Sequence, residues 1–147
     1  MFEKTFVAGW GDMDYNAHMR NTAYLDKAAD LRMMFFAEHG LPMSEFMRLR
    51  IGPVVMRDEI EYFREVKLLQ SLRVGLMLAG VSPDGSRFRL RNLFWVDETL
   101  VARLTSTGGW LDLEARKLVA PPDLIMAAQA DLARSEDFAE LPSSLKG

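Results

Sequence analysis

The residues whose types and spacing suit chemistry lie in one short stretch, Asp12-Met-Asp14-Tyr-Asn16-Ala-His18-Met-Arg20-Asn21. A turn or a helix cap uses one or two short polar residues, and this stretch holds more than either requires. A carboxylate is ionised at neutral pH from a reference pKa of about 3.9, so an aspartate here needs no activation to attack a carbonyl or to draw a proton from water. The stretch runs straight into an apolar-periodic segment, and the free backbone N–H groups of a helix start can hold negative charge. Asp14 is therefore a candidate for carbonyl chemistry, in competition with the plainer role of an Asx-turn or cap residue.

The elements that must position this loop can be read on either side of it. Phe2 to Trp10, ending at Gly11, reads as a strand. From Asn21 or Thr22 to His39 the apolar residues Tyr24, Leu25, Ala28, Leu31, Phe35 and Phe36 follow helical spacing, with Asp26, Lys27, Asp30 and Glu38 mostly on the other side. Gly40 and Leu41-Pro42 stop that helix, and a short second one is expected over Ser44 to Arg50. Strands are expected from Val54 through Tyr62 and on past Arg64, from Leu72 to Leu78, from Arg87 to Val96 and from Leu100 to Leu113. Turns at Pro83-Asp84-Gly85 and Asp97-Glu98-Thr99 join them into an antiparallel meander, with the long helix as its cover. Leu118 to Pro122 closes the sheet, a helix is expected over Asp123 to Arg134, and Glu136 to Gly147 reads as a tail that is loose or lies along the surface. The whole of 1–147 is expected to form one α+β domain.

Composition excludes several classes. The net charge of -3 provides no field for nucleic acid or an anionic membrane surface. No apolar run approaches the roughly 20 residues of a spanning helix. The chain has no cysteine, which removes disulfides, thiol nucleophiles and thiolate metal sites and fits a cytoplasmic location. Its two histidines, His18 and His39, lack helical ligand spacing, so no metal site is expected. His39 falls in a last helical turn, where an imidazole interacts favourably with terminal carbonyls.

The run Asp14-Tyr-Asn16-Ala-His18-Met-Arg-Asn21-x-x-Tyr24-Leu25 resembles the Asp-x-Asn-x-His-Val-Asn-Asn-x-x-Tyr signature of acyl-thioester hydrolases with the hotdog fold, an antiparallel β-sheet wrapped around one long central α-helix. Trp10-Gly-Asp-Met-Asp14 is similar to the entry loop of their 4-hydroxybenzoyl-CoA thioesterase branch, and Trp110 to Lys117 is similar to the family's last strand. The resemblance implies an acyl-CoA thioesterase that acts on a small or medium acyl group. Asp14 would attack the thioester carbonyl or activate water, the backbone N–H near Asn21 would polarise the carbonyl oxygen, and Asn16 and His18 would orient the reacting groups. It implies no cofactor beyond the coenzyme A of the substrate, and a homodimer or a dimer of dimers. Ala17 stands where many relatives have glycine, and Arg20 where they have asparagine.

Arg20 and Tyr24 are candidate substrate contacts. Arg87, Arg89 and Arg91 form a stripe on one strand face, either a solvated surface or a contact for coenzyme A phosphates. Asp12 is equally a turn residue or a participant. Two rivals share the fold: a hydratase or dehydratase acting on acyl thioesters, and a non-catalytic acyl-CoA binding module.

Overall fold

The computed structural model describes residues 1–145. Strand β1 (Phe2–Val7) leads through a 3-10 turn (Trp10–Asp12) into helix α1 (Asn21–Glu38), followed by α2 (Met43–Leu49). Strands β2 (Ile51–Tyr62), β3 (Ser71–Val81), β4 (Arg87–Val96) and β5 (Thr99–Asp112) come next, then β6 (Lys117–Val119), α3 (Asp123–Ala130) and β7 (Arg134–Glu140). The sheet runs β1-β3-β4-β5-β2, with β6 beside β5 and β7 beside β3. It is an α+β arrangement consistent with the expected hotdog fold, and helix 21–38 is present. No described helix is long and apolar enough to cross a membrane.

Alternation along the strands builds the core. Leu72, Val74, Leu76 and Leu78 of β3, Phe88, Leu90 and Phe94 of β4, and Ala102, Leu104 and Trp110 of β5 are all buried. Helix α1 buries Ala23, Tyr24, Ala28, Leu31, Phe35 and Phe36. Full burial of one Leu or Phe side chain contributes roughly 1.5–3 kcal/mol, so this layer dominates the favourable energy of the fold. A bulge between Val55 and Arg57 keeps Pro53 and Val55 on the same inward face as Asp58, Ile60 and Tyr62. Across from the bulge only glycine fits at 108, since a Cβ there would lie 2.1 Å from the Val54 carbonyl oxygen.

Four features depart from the sequence-based expectation. The meander covers only β3-β4-β5, whereas β2 crosses to the far edge and pairs with β5. Lys27 is buried on α1, not on its polar side. The expected helix to Arg134 stops at Ala130 because Arg134 begins β7. The tail is not loose but ordered from its start: β7 lies parallel to β3, Leu141 is buried, and Ser143 and Ser144 bond to Asp84 and Ser86. The last two residues of that tail lie outside the described residues. Backbone pairing with β3, the apolar anchors Phe138 and Leu141, and serine hydroxyls bonded around the Asp84 turn hold this segment, and two isolated apolar residues make no periodic pattern.

Candidate active site

The loop after β1 is held at both ends. Ala8 N–H donates to Gln70 O at 3.0 Å and Leu69 N–H to Ala8 O at 2.7 Å, which joins the loop to the connection 63–70. In the 3-10 turn, Asp12 Oδ2 accepts from Gly9 N at 2.9 Å and from Lys27 Nζ at 2.8 Å. Burial works against the ionised form of Asp12, but the bonds from Lys27 and Gly9 outweigh it and its pKa lies below the ordinary value. Asp12 is thus the anchor of the turn. Its burial of Lys27 is what the helical-wheel reading of that residue lacked.

Beyond the turn the chain folds back on itself. Asp14 N–H donates to His18 O at 2.8 Å, and Ala17 N–H to Asp14 O at 3.1 Å. Ala17 sits at φ 63, a left-handed conformation that explains why glycine suits this position. Asp14 Oδ1 accepts from Asn16 N at 2.8 Å and His18 N at 3.2 Å, while Oδ2 has no hydrogen bond among the described residues. The backbone N–H groups of Asn16 and His18, not their side chains, therefore orient the carboxylate. His18 Nε2 lies 2.9 Å from Glu65 Oε2.

Arg20 caps α1 with extended backbone, φ -69 and ψ 154. Its side chain donates to Thr22 Oγ1 at 2.9 Å and to the Gly11 carbonyl, so the guanidinium braces the loop. Asn21 is the first helical residue, and its N–H has no partner among the described residues. Thr22 N–H donates to Asn21 Oδ1 at 3.0 Å.

Asp14, His18, Asn21 and Tyr24 line one open cavity of about 400 Å³, together with Tyr62, Arg64 and Glu65. Tyr24 is buried, edge-on to Tyr62 at 5.2 Å and to Phe94 at 5.3 Å. Burial, with Tyr62 beside it, pushes the Tyr24 hydroxyl up to about 12, so it stays a neutral donor. The other wall is the 63–70 connection, which begins where the strand expected to run past Arg64 ends at Tyr62. Met19 N–H donates to Val66 O at 2.8 Å, and His18 forms a bridge with Lys67. The fully buried Val66 amid polar neighbours is the signal that marked it.

Asn16 is exposed beside the cavity. Arg87, Arg89 and Arg91 lie on the outer face of β4, across the sheet from α1. Arg91 bonds to Asp137 of β7 at 3.1 Å and to Thr105 at 2.9 Å, and Arg87 donates to Ser144 at 3.4 Å. Within one chain the stripe does not meet the Asp14 cavity. No group of three or more His, Cys, Asp or Glu among the described residues is arranged to hold a metal.

The aspartate and the helix-start N–H thus share one cavity at the edge of the sheet. The profile of the thioesterase-like superfamily matches residues 8–129, and the chain belongs to that family. No curated protein matches the sequence. Among solved structures, a hypothetical protein from Staphylococcus aureus in complex with CoA is 22% identical, with a TM-score of 0.80 over 88% of this chain and 81% of that one. The 1,4-dihydroxy-2-naphthoyl-CoA thioesterase of Synechocystis is 17% identical, with a TM-score of 0.78 over 89% and 96%. A gentisyl-coenzyme A thioesterase is 16% identical, with a TM-score of 0.77 over 86% and 98%. At these identities the likeness is one of fold.

Proposed function

We propose that this single domain hydrolyses acyl-CoA thioesters of small or medium acyl groups to the free acid and coenzyme A. The observation that carries the reading is that Asp14 and Asn21 line the same cavity, with the Asp14 Oδ2 and the Asn21 N–H both without a hydrogen-bond partner among the described residues. The thioester carbonyl oxygen is received by the Asn21 N–H, where a single such donor is typically worth about 3–4 kcal/mol in the transition state. Asp14 either attacks the carbonyl carbon, forming an acyl anhydride that water then hydrolyses, or takes a proton from a water that attacks the carbon directly; on both routes the C–S bond breaks, and the proton given up by water goes to the departing thiolate of coenzyme A. Arg64, in the cavity wall, is the cation within reach of the coenzyme's phosphates. Thioesterase family membership and the CoA-bound and thioesterase structures of the same fold support this substrate class.

A homodimer is part of the reading. β2 ends the sheet as an edge of 12 residues, with Val55 46% and Met56 50% exposed, and pairing with a second copy would cover it. A cytoplasmic location is supported by the lack of cysteine. The test is thiol release measured across short, branched, aromatic, long-chain and cationic acyl-CoA esters. Release of thiol with at least one of these carries the proposal. Addition or loss of a double bond without thiol would assign the chain to hydration chemistry, and tight binding without turnover would make it a binding module.

A further inference from the structure

A second cavity, of about 200 Å³, lies between α1 and the sheet and is walled by Met33, Phe36, Leu76, Phe88, Trp110 and Leu132. An apolar cavity of about 150 Å³ is enough to take a benzene ring. Only two polar side chains line this one, Arg32 and Gln129. Gln129 Oε1 is occupied by Trp110 Nε1 at 3.1 Å, and its Nε2 has no closer partner than Met126 Sδ at 4.0 Å. Arg32 Nη2 donates to Asn92 Oδ1 and Ser106 Oγ, both at 2.7 Å, and Nε to Asn92 Oδ1 at 3.2 Å. Arg32 Nη1 has no hydrogen bond among the described residues. The cavity thus offers donors and a positive charge inside an apolar wall.

Among the described residues the charge has no direct ion pair. Asp58 is joined to Arg32 through the Ser106 hydroxyl, and it is exposed, so water screens it. Burial lowers the Arg32 guanidinium to about 10 despite Asp58, which is the mark of a cation short of compensation. Asn92 and Ser106 are fully buried and fix the guanidinium in place. Such a preset fork matches a carboxylate.

We infer that this cavity binds a carboxylate carried on a hydrocarbon body, with Arg32 Nη1 receiving the carboxylate and the apolar walls receiving the body. Two sources have this chemistry: a free carboxylic acid, and the far end of an acyl chain whose thioester sits at Asp14. The second source rests on the proposed hydrolysis. Its route would follow α1, where Asn21, Leu25, Ala29 and Arg32 share one stripe at about 100° per residue. Strand β2 accompanies that stripe, from Tyr62 against Tyr24 to Asp58 beside the Arg32 cluster and on to Val55 at the cavity. The helix rise separates Asn21 and Arg32 by about 16 Å, and side chains lean toward the helix start, which shortens that span. At roughly 1.25 Å per carbon from standard bond geometry, chains of about 8–12 carbons bridge it.

The experiment titrates the intact protein with octanoate, octan-1-ol and octylammonium while methyl NMR follows Met33, Leu76 and Leu90. Octanoate is expected to shift these methyls and to bind at least tenfold tighter than octanol, with no binding of octylammonium. Arg32→Met should erase the octanoate advantage, and the wild-type comparison stands even where that variant folds poorly. Octanoyl- against suberoyl-CoA and decanoyl- against sebacoyl-CoA are then compared for thiol release. A tenfold kcat/KM advantage of the dicarboxylic esters, lost in Arg32→Met, identifies the acyl chain as the source. Equal rates with octanoate bound identify the free acid. Octanol binding as well as octanoate, or shifts elsewhere with no dicarboxylic preference, overturns the inference. Failure to hydrolyse any ester overturns the proposed activity alone, because the titration needs no turnover.

Discussion

Replacing Asn21 by proline removes a single atom pair from the proposed chemistry, the N–H at the start of α1, and the geometry permits it. Asn21 is the first helical residue, where proline is tolerated because that N–H has no intrahelical partner. The residue before a proline must be extended, and Arg20 already has ψ 154. The substitution also removes the side-chain oxygen that accepts from Thr22 N, so Asn21→Ala is the control that loses this bond and keeps the N–H. Loss of one carbonyl-polarising donor costs about 3–4 kcal/mol of transition-state stabilisation, or roughly 10²–10³ in kcat. Both variants should melt close to wild type and differ from each other in kcat by that factor, read by thiol release under saturating acyl-CoA. Equal kcat in the proline and alanine variants would remove the Asn21 N–H from the mechanism.

Asp14→Asn keeps an oxygen for the Asn16 and His18 N–H groups, so the loop should persist while turnover falls about 10²–10⁴-fold; near-normal turnover would dismiss Asp14 as the reactive group. Ala17→Gly relieves the left-handed alanine at φ 63 and should raise stability by about 1 kcal/mol in denaturant unfolding. Lys27→Met leaves Asp12 with only the Gly9 N–H, and a loss of about 3 kcal/mol is expected, at the low end for a broken buried pair. His39 faces acceptors at both ring nitrogens, Phe35 O at 2.8 Å and Asp131 Oδ2 at 2.7 Å. Burial opposes its imidazolium, but Asp131 and the Phe35 carbonyl raise its pKa above the ordinary value. A raised folded pKa means its contribution to stability is full below the unfolded pKa of about 6.5 and fades as pH rises through the folded value. His39→Gln should flatten that part of the stability profile, and an unchanged profile would rule the pair out.

The amino-acid sequence by itself determined the candidate loop, the long helix and the alternation of β3, β4 and β5. These are local matters. Asp14 is oriented by N–H groups two and four residues away, the Asn21 start is announced by the apolar spacing that follows it, and strand faces follow a period of two. Only the tertiary structure decided which distant residues meet that loop. The crossover of β2 swings 63–70 against Ala8, His18 and Met19, and nothing in the periodicity of either segment specifies that pairing. Lys27 reads as a solvated residue until Asp12 folds onto it across 15 positions, and Arg32 is an ordinary helix charge until Asn92 and Ser106 arrive from two strands. The stripe of Arg87, Arg89 and Arg91 was legible as a stripe, whereas its separation from Asp14 by the thickness of the sheet was not. A polar contact between remote residues leaves no periodic trace in the chain, because its energy depends on a partner placed by every element folded between them.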